Sequence, residues 1–386
     1  MLLRFTQSGK DRKGAKKHLR LSLFVSLREI KIMALLFQPL QIKSIELKNR
    51  IVVSPMCQYS SEDGFANDWH LVHLGSRAVG GAALVFTEAT AVSPEGRITP
   101  SDLGIWKDEH IEFLKRIVTF IESQNSIAGI QLAHAGRKAS HDIPWKGSAV
   151  LTAEEGAWQT FAPSAVPYKE SDPLPKEMSK DDIKKVINDF SDAAKRSMIA
   201  GFKIIEIHAA HGYLLNEFMS PLSNERKDEY GGSFENRIRL LLEIVDATRK
   251  VFTEEHPLFV RISATDWVEG GWTEDDSVKL TAILKDKSVD VIDCSTGGNI
   301  SSQNITVTPL YQVPFAEKIK KETGILTGAV GMITTSQQAE EILAKQQADL
   351  ILQARQFLRD PYFPLHAARE LNVDVPWPEQ YERANK

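Results

Sequence analysis

The sequence predicts an α/β protein whose core is a closed (β/α)8 TIM barrel. From residue 51 onward, short runs rich in β-branched residues alternate with longer segments in which apolar residues recur at helical spacing. This alternation is typical of β-α units around a parallel sheet, and eight such runs fit a closed barrel. An open doubly wound sheet is the alternative, but no GxGxxG motif follows the first run. The predicted strands are 51–56, 83–89, 127–133, 202–208, 258–264, 289–295, 324–330 and 349–355.

Two segments precede the first predicted strand. Residues 34–50 are expected to form a hairpin that closes the barrel floor, so that a single domain spans 34–386. Residues 1–33 are rich in lysine and arginine and contain little acid, which indicates a basic extension outside that domain. An organellar presequence is the other interpretation, although no small-residue cleavage site stands out. We favour an extension upstream of a chain that starts near Met33.

Helix starts and one long loop can be assigned between the strands. Asp108 and Ser179 each precede a run of apolar residues at helical spacing, and both are of a residue type preferred at helix N-caps. Residues 139–177 are rich in Pro, Trp and Ser and form an unusually long connection after the third strand. A long loop on the catalytic side of a barrel is typical of a lid.

The composition argues against several function classes. Charged residues are 25% of the chain and the net charge is −4, which disfavours nucleic acid and anionic membranes as partners. No apolar run reaches the ~20 residues that cross a bilayer. Cys57 and Cys294 each end a strand-like run, and two cysteines cannot form the disulfide framework of a secreted domain. These features favour a cytoplasmic enzyme that acts on a small molecule.

The fourth predicted strand runs directly into three polar side chains. The segment FKIIEIHAAHGY (202–213) places His208, His211 and Tyr213 at the strand end, where barrels carry their catalytic residues. A metal site with Glu206 as third ligand is an alternative, but no second His or Cys cluster accompanies the pair. A structural role also stays open, because a single histidine is more often a hydrogen-bonded structural residue than a catalyst.

Other strand ends indicate a bound anion and a planar ring. The seventh and eighth strands end in TGAVGM (327–332) and QAR (353–355), where glycine backbone amides and Arg355 can bind a phosphate. Gln131 and Arg261 lie at the ends of two other strands and can donate to a heterocycle, although Arg261 could instead pair with a barrel carboxylate. A phosphate, a planar ring and the histidine group together describe a flavin mononucleotide (FMN) site.

Several long motifs resemble the old yellow enzyme family of FMN-dependent ene-reductases. The resemblance extends from Leu36 to Arg383, and long motifs in a fixed order are far more specific than any one of them. The motifs are NRIVVSPMCQYS (49–60), FTEATAVSPEGRI (86–98), LGIWKDEHI (103–111), GIQLAHAGRK (129–138), IHAAHGYLLNEFMSPLSNERKDEYGGSFENR (207–237), GGWT (270–273) and LTGAVGMI (326–333).

The resemblance implies a role for each matching position. His208 and His211 would donate hydrogen bonds to an oxygen of the substrate, and Tyr213 would donate a proton. The flavin ring would be lined by Pro55, Met56, Cys57, Ala89, Gln131 and Arg261, and the ribityl phosphate would be held by Gly328, Ala329 and Arg355. No metal is implied.

Cys57, Tyr59 and the two histidines resemble the bacterial, thermophilic-like subclass of this family. That subclass implies that Tyr59 contacts the substrate, and that Arg383 reaches the neighbouring active site in a homodimer or homotetramer. The chain departs from the family at Ala354, because glycine usually precedes the phosphate-binding arginine. The added methyl group can crowd the phosphate and weaken FMN binding.

The implied activity is that of an NADPH dehydrogenase. NADPH would reduce non-covalently bound FMN, and activated C=C bonds of α,β-unsaturated carbonyls, nitro compounds or quinones would accept the electrons. Two cysteines cannot ligate the iron–sulfur cluster of the longer dienoyl-CoA reductases. A flavin-binding sensor with little turnover stays an alternative, as does a colourless aldolase or isomerase barrel that binds a sugar phosphate.

Overall fold

Eight of the β-branched runs pair in parallel and close into a barrel, which confirms the predicted fold. The structure, a computed structural model, describes residues 34–385, so the predicted extension 1–33 lies outside the described residues. Around the barrel the strand order is β10-β11-β12-β3-β4-β5-β8-β9. The strands are β1 (Leu40–Ile42), β2 (Ile45–Leu47), β3 (Ile51–Val53), β4 (Leu84–Ala91), β5 (Ile127–Ala133), β6 (Phe161–Ala162), β7 (Lys176–Glu177), β8 (Ile204–Ala209), β9 (Leu258–Ser263), β10 (Val291–Ser295), β11 (Leu326–Ala329) and β12 (Leu350–Gln353).

Among the barrel strands that end at other residues than predicted, β3 and β4 matter most for the site. β3 stops at Val53 rather than at residue 56, because Pro55 has no N–H for a β ladder. β4 continues to Ala91, but its register with β5 shifts between Phe86 and Ala89. Such a β-bulge removes residues from the regular ladder and redirects their side chains. Both differences lie towards the carboxyl ends of the strands, where the predicted site is.

The predicted N-terminal hairpin is confirmed. β1 and β2 pair antiparallel, with Ile42 opposite Ile45 and Leu40 opposite Leu47. Ile42 and Leu47 are buried in the apolar cluster that includes Phe259 of β9. The same cluster contains residues from the starts of several other barrel strands. The hairpin therefore closes the amino-terminal end of the barrel and leaves the carboxyl end for the site.

The helices lie between the strands, as the helical spacing predicts. Ser179 caps α3, because its side chain accepts a hydrogen bond from the backbone N–H of Asp182. The prediction that Asp108 caps α2 is wrong: Asp108 begins a 3-10 turn that runs directly into the helix, so no extended N-cap residue is needed. The helices are α1 (Asp68–Val79), α2 (Ile111–Ser123), α3 (Lys180–Ala200), α4 (Leu214–Met219), α5 (Phe234–Arg237), α6 (Arg239–Arg249), α7 (Glu274–Asp286), α8 (Val313–Thr323), α9 (Ser336–Ala344), α10 (Arg355–Arg359) and α11 (Phe363–Glu370). Within residues 34–385, every helix is too short or too polar to span a membrane.

The predicted lid segment, residues 139–177, follows β5. It contains two 3-10 turns and the strand β6, which pairs in parallel with β7 at the end of the segment. The ring of Trp145 packs edge to face on Tyr59, with the two ring centroids 5.9 Å apart. The segment therefore reaches the residues that follow β3.

Candidate active site

The three polar residues at the end of β8 lie side by side. The ring centroid of His208 is 5.1 Å from that of His211 and 5.1 Å from that of Tyr213, and both contacts are edge to face. His211 Nε2 lies 2.6 Å from Ser295 Oγ at the end of β10. His208 is buried, and its Nδ1 has no hydrogen-bond partner among the described residues. The cluster therefore holds a buried polar atom that a ligand can satisfy.

A tight turn positions His211. His211 and Gly212 have φ angles of 62° and 70°, both in the left-handed region. Ser263 Oγ accepts a hydrogen bond from the backbone N–H of His211 at 2.8 Å, and Lys138 Nζ donates to the carbonyl oxygens of His211 (2.8 Å) and Gly298 (3.1 Å). A Cβ at Gly212 would lie 2.1 Å from the Gly298 carbonyl oxygen. Glycine is therefore required here, and the turn is locked against the loop after β10.

Burial determines the protonation states of these groups. Burial lowers the pKa of His208 and of His211 well below the usual range, and the positive charges of Arg261 and Lys138 lower both further. Burial raises the pKa of Tyr213 well above its usual range. At neutral pH both imidazoles are therefore uncharged, each with one N–H to donate, and the phenol keeps its proton.

A cavity of about 340 Å³ opens beside the cluster, a volume in the range of small-molecule sites. His211 and Ser295 form part of one wall. The other lining residues come from the ends of β9, β11 and β12, from the segment after β10 and from α10, and they include Arg261, Val330, Gly331, Met332, Gln353, Arg355 and Arg359. The structure thus brings three of the predicted site residues, His211, Arg261 and Arg355, to one cavity.

Buried charges surround Arg261 inside the barrel. Its Nε lies 3.1 Å from Asp293 Oδ2, and its Nη1 donates to Ser54 Oγ at 3.1 Å. Gln131 Nε2 donates to Glu206 Oε1 at 2.8 Å. Arg261 therefore pairs with a barrel carboxylate, the alternative named for it above, and it also lines the cavity. Burial, with repulsion from Asp293, raises the pKa of Glu206 to about 8.

Glu206 is committed to the polar network inside the barrel. It alternates with His208 along β8, yet the hydrogen bond that the structure gives its carboxylate comes from Gln131. In the part of the chain that the structure describes, no three His, Cys, Asp or Glu side chains are grouped so as to hold a metal ion.

The end of the cavity near β11 differs in one detail from the sequence prediction. Gly328 and Ala329 lie within β11, where a Cβ on Gly328 would be 2.3 Å from Leu352 Cδ1, and neither residue lines the cavity. Only residues beyond the strand end turn into the cavity, among them Gly331 with a φ of 116°. The candidate phosphate-binding glycine is therefore Gly331 rather than Gly328.

Two arginines and Ala354 complete this end of the cavity. Arg355 is exposed at the start of α10, and Arg359 one helical turn later also lines the cavity. Arg359 is not among the residues predicted from the sequence, although its i,i+4 spacing from Arg355 places both on one helix face. Ala354 has a φ of −105°, which any L-residue can adopt. The backbone therefore does not require glycine at this position.

The segment after β3 brings Cys57 and Tyr59 close to Tyr213. Cys57 and Tyr59 are both half-buried. Burial raises the pKa of Tyr213 well above its usual range, and negative charge on Cys57 or Tyr59 would raise it further. The other predicted ring-lining residues also lie towards the strand ends: Pro55 and Met56 after β3, Ala89 on β4 and its pairing partner Gln131 on β5.

Arg383 is not part of this cluster within one chain. It is exposed in the final 3-10 turn, Glu379–Asn385, and makes no hydrogen bond or ion pair with the described residues. With Trp377 and Tyr381 it lines a separate cavity of about 380 Å³. Its predicted contact with substrate would therefore need a second chain.

The residues around the 340 Å³ cavity fit FMN. A flavin ring needs hydrogen-bond donors along its polar edge, and a phosphate needs cations and free backbone amides. Arg261 supplies donors at the inner end, and Arg355, Arg359 and the Gly331 backbone lie towards the outer end. The histidine cluster adds the buried Nδ1 of His208, which has no hydrogen-bond partner among the described residues.

Comparisons with known proteins identify the family of this chain. The family model of the NADH:flavin oxidoreductase / NADH oxidase family matches residues 35–374. The chain is 50% identical over 350 residues to an NADPH dehydrogenase of Geobacillus thermodenitrificans, covering 90% of this chain and 98% of that one. An NADPH dehydrogenase of Bacillus cytotoxicus is 51% identical over 352 residues, covering 90% of this chain and 96% of that one.

Solved structures share the barrel as well. Morphinone reductase superposes with a TM-score of 0.73 at 26% identity, covering 89% of this chain and 91% of that one. An old yellow enzyme homologue from Zymomonas mobilis superposes with a TM-score of 0.73 at 25% identity, covering 89% of this chain and 94% of that one. The chain therefore belongs to the NADH:flavin oxidoreductase / NADH oxidase family, and it is an FMN-dependent oxidoreductase built on a (β/α)8 barrel.

Proposed function

We propose that this protein is an NADPH dehydrogenase that reduces activated C=C bonds of α,β-unsaturated carbonyl compounds, with nitro compounds and quinones as further substrates. The observation that carries the proposal is the buried Nδ1 of His208 beside His211 and Tyr213, which has no hydrogen-bond partner among residues 34–385. The relatives named NADPH dehydrogenase, about half identical to this chain, support the choice of electron donor.

The two histidines bind and polarise the substrate oxygen in this proposal. Both imidazoles are neutral because burial lowers their pKa, so each can donate one N–H without carrying a charge. An enone oxygen that accepts two such donors becomes more electron-withdrawing, which makes the β-carbon a better hydride acceptor. The locked turn at Gly212 keeps the donors in place before the substrate arrives.

Tyr213 acts as the proton donor to the α-carbon. Its ring packs against His208, and its raised pKa keeps the phenol protonated at neutral pH. A group that holds its proton in the resting site can act as a general acid once negative charge develops on the substrate. Tyr59, near Tyr213, contacts the substrate from the other side of the site.

FMN, when bound, would supply the hydride transfer from NADPH to the substrate. Arg261 and Gln131 would donate to the polar edge of its ring, with Pro55, Met56, Cys57 and Ala89 against the ring. Gly331 and Arg355, with Arg359, would hold its phosphate. Arg261 is positioned for this by Asp293 and Ser54.

Two finer assignments follow from the family resemblance, and the composition supports a third, the cellular compartment. Cys57, Tyr59 and the histidine pair support assignment of the chain to the bacterial, thermophilic-like subclass. Arg383 reaches the active site of a neighbouring chain in a homodimer or homotetramer, consistent with its exposed position and lack of partners within the described residues. The enzyme works in the cytoplasm.

The visible spectrum of the purified protein, followed by turnover with NADPH and cyclohexenone, tests the proposal. We expect a yellow protein with FMN fluorescence after denaturation and loss of NADPH absorbance that depends on cyclohexenone. A colourless protein would contradict the cofactor assignment. Bound FMN without turnover of any enone, nitro compound or quinone would favour a flavin-binding sensor instead.

A further inference from the structure

The segment that carries Cys57 and Tyr59 lies beyond the end of β3, so the hydrogen bonds of the barrel strands do not hold it in place. β3 ends at Val53, and Tyr59 has a φ of 48°, an unfavourable left-handed conformation for a non-glycine residue. The backbone N–H of Gln58, between these two residues, donates to Glu88 Oε2 at 2.9 Å. The buried carboxylate of Glu88 therefore holds the backbone of this segment by one charge-assisted hydrogen bond.

A β-bulge presents Glu88 to this segment. The register of β4 with β5 shifts between Phe86 and Ala89, so Thr87 and Glu88 lie outside the regular pairing. The hydroxyls of Thr87 and Thr90 donate to the Glu88 carbonyl oxygen at 3.0 and 2.8 Å, which satisfies a group that the bulge would leave unpaired. β-Bulges next to active sites commonly redirect a side chain in this way.

His70 lies against the other oxygen of the carboxylate. It is 1% exposed in the first turn of α1, and its Nδ1 lies 3.1 Å from the backbone nitrogen and 3.0 Å from Oδ1 of Asn67. Its Nε2 lies 3.2 Å from Glu88 Oε1 and 3.3 Å from Ser61 Oγ. The helix cap therefore orients the imidazole so that Nε2 faces Glu88 and Ser61.

The groups that face Cys57 are predominantly acidic. Burial raises the pKa of the Cys57 thiol well above its usual value, and the carboxylates of Asp102 and Glu88 raise it further. A negative charge on Cys57 would in turn raise the pKa values of Tyr59 and Tyr213. The positive charge that could stabilise a thiolate is not among these neighbours.

We propose that Glu88, oriented by His70, is a positioning residue that holds the Cys57–Tyr59 segment and keeps the Cys57 side chain a neutral thiol beside the flavin. Two functions are combined in one carboxylate: its hydrogen bond to Gln58 sets the position of Tyr59, and its negative charge disfavours a thiolate at Cys57. The inference rests on the proposed place of Cys57 and Tyr59 in the site, but the contacts that carry it do not depend on the reaction.

Alkylation of Cys57 by iodoacetamide, measured against pH by mass spectrometry, tests the charge function. Only the thiolate reacts, so the rate reports its fraction. We expect Glu88→Gln in the purified, cofactor-containing protein to increase the labelling rate at pH 8 at least threefold, with a single label. Glu88→Asp keeps the charge but shortens the side chain, so it should label no faster than the wild type while its affinity for a phenolic ligand falls at least threefold.

Cys294 provides an internal control, because it is 0% exposed on β10 and should stay unlabelled in a folded protein. Cys57→Ala and Cys57→Ala/Glu88→Gln should therefore take up no label. Two labels on Glu88→Gln would mean that Cys294 has also reacted and that the variant has unfolded. In that case the test rests on Glu88→Asp, and an unchanged phenol affinity in Glu88→Asp overturns the proposal. Wild-type labelling of a folded Glu88→Gln also overturns it. An FMN-containing protein that turns over no enone, nitro compound or quinone would contradict the proposed function but leaves this labelling test intact.

Discussion

At the scale of single residues, the chemistry depends on neutral imidazoles. Burial, Arg261 and Lys138 all lower the pKa values of His208 and His211, so neither ring becomes charged near neutral pH. Both rings therefore act as hydrogen-bond donors over the whole working range. A protonated histidine would bind a phenolate more tightly, and it would make binding depend on pH near the ordinary histidine pKa.

We expect His208→Ala and His211→Ala each to weaken binding of p-hydroxybenzaldehyde at least tenfold, since a hydrogen bond to a charged group contributes about 1.5–3 kcal/mol. In the wild type, affinity should show no step near pH 6.5 from histidine titration. Charge-transfer titrations of the oxidised enzyme between pH 6 and 8 measure both effects. His366→Ala, an exposed histidine on α11, should leave affinity unchanged. Unchanged affinity in both site variants would contradict the assignment.

Ala354 is a second residue whose effect can be measured directly. Its φ of −105° does not require glycine, so Ala354→Gly should change the FMN dissociation constant by less than about threefold. The added backbone freedom of the unfolded chain should lower stability by about 0.4–1 kcal/mol. Ala354→Val, which adds bulk to the cavity wall, should weaken FMN binding. Fluorescence titration of the FMN-free protein gives the constants, and a tenfold gain in Ala354→Gly would show that the methyl group crowds the phosphate.

At the scale of elements, the site depends on close backbone contact between the loop after β8 and the loop after β10. Gly212 follows His211, and Gly298 follows β10; a Cβ on Gly298 would lie 2.6 Å from the backbone of His211. Lys138, from the motif after β5, joins both loops through their carbonyl oxygens. The ends of β5, β8 and β10 are thereby held as one unit, which gives the histidine cluster its fixed geometry.

Gly212→Ala should separate these two loops. A left-handed alanine costs roughly 1–2 kcal/mol, and the clash with the Gly298 carbonyl oxygen adds to that cost. We expect phenol affinity to fall at least tenfold and the urea midpoint to drop. Gly232→Ala is the matched control: its φ is 81° and a Cβ there would meet nothing within 4 Å. Gly232→Ala should be destabilised only by the cost of a left-handed alanine, and its phenol affinity should not change. Equal effects of the two variants would contradict the loop contact.

At the scale of the whole molecule, the barrel interior stores electrostatic strain under the site. Glu206 and Asp293 are both buried, with Arg261 as the nearby cation and Gln131 as hydrogen-bond donor to Glu206. Burial, then repulsion from Asp293, raises the pKa of Glu206 to about 8 from its ordinary 4.5. The folded protein therefore binds a proton that the unfolded chain releases between about pH 4.5 and 8. Stability consequently falls as pH rises through that window.

Glu206→Gln should flatten this part of the stability profile. Between pH 5 and pH 8, the free energy of unfolding should fall by at least about 1.4 kcal/mol less in the variant than in the wild type, the equivalent of one pKa unit. Urea unfolding at the two pH values gives the comparison. Glu46→Gln in the exposed part of the N-terminal hairpin serves as the control and should follow the wild type. Parallel decreases in wild type and Glu206→Gln would show that Glu206 is ionised in the folded protein.

The sequence by itself determined the barrel, the hairpin, the lid and the histidine cluster, because local patterns in the chain predict each of them. β-branched runs, helical spacing and polar residues at strand ends depend on near neighbours in the chain, and the family motifs extend over them. The end of β3 at Val53 follows from Pro55, and Ser179 caps α3 as its residue type predicts. Asp108 failed as a cap because the preceding turn continues into α2, a backbone property that residue type does not reveal.

The tertiary structure decided the contacts between strands that are far apart in the chain. The bulge in β4 depends on the register with β5, and only that register directs Glu88 to Gln58 and His70. Likewise, Gly331 rather than Gly328 faces the cavity because β11 ends at Ala329. Side-chain direction depends on where each strand pairs and stops, and pairing energies sum over the whole barrel. Residue order alone therefore located the site, while the closed sheet determined which atoms meet in it.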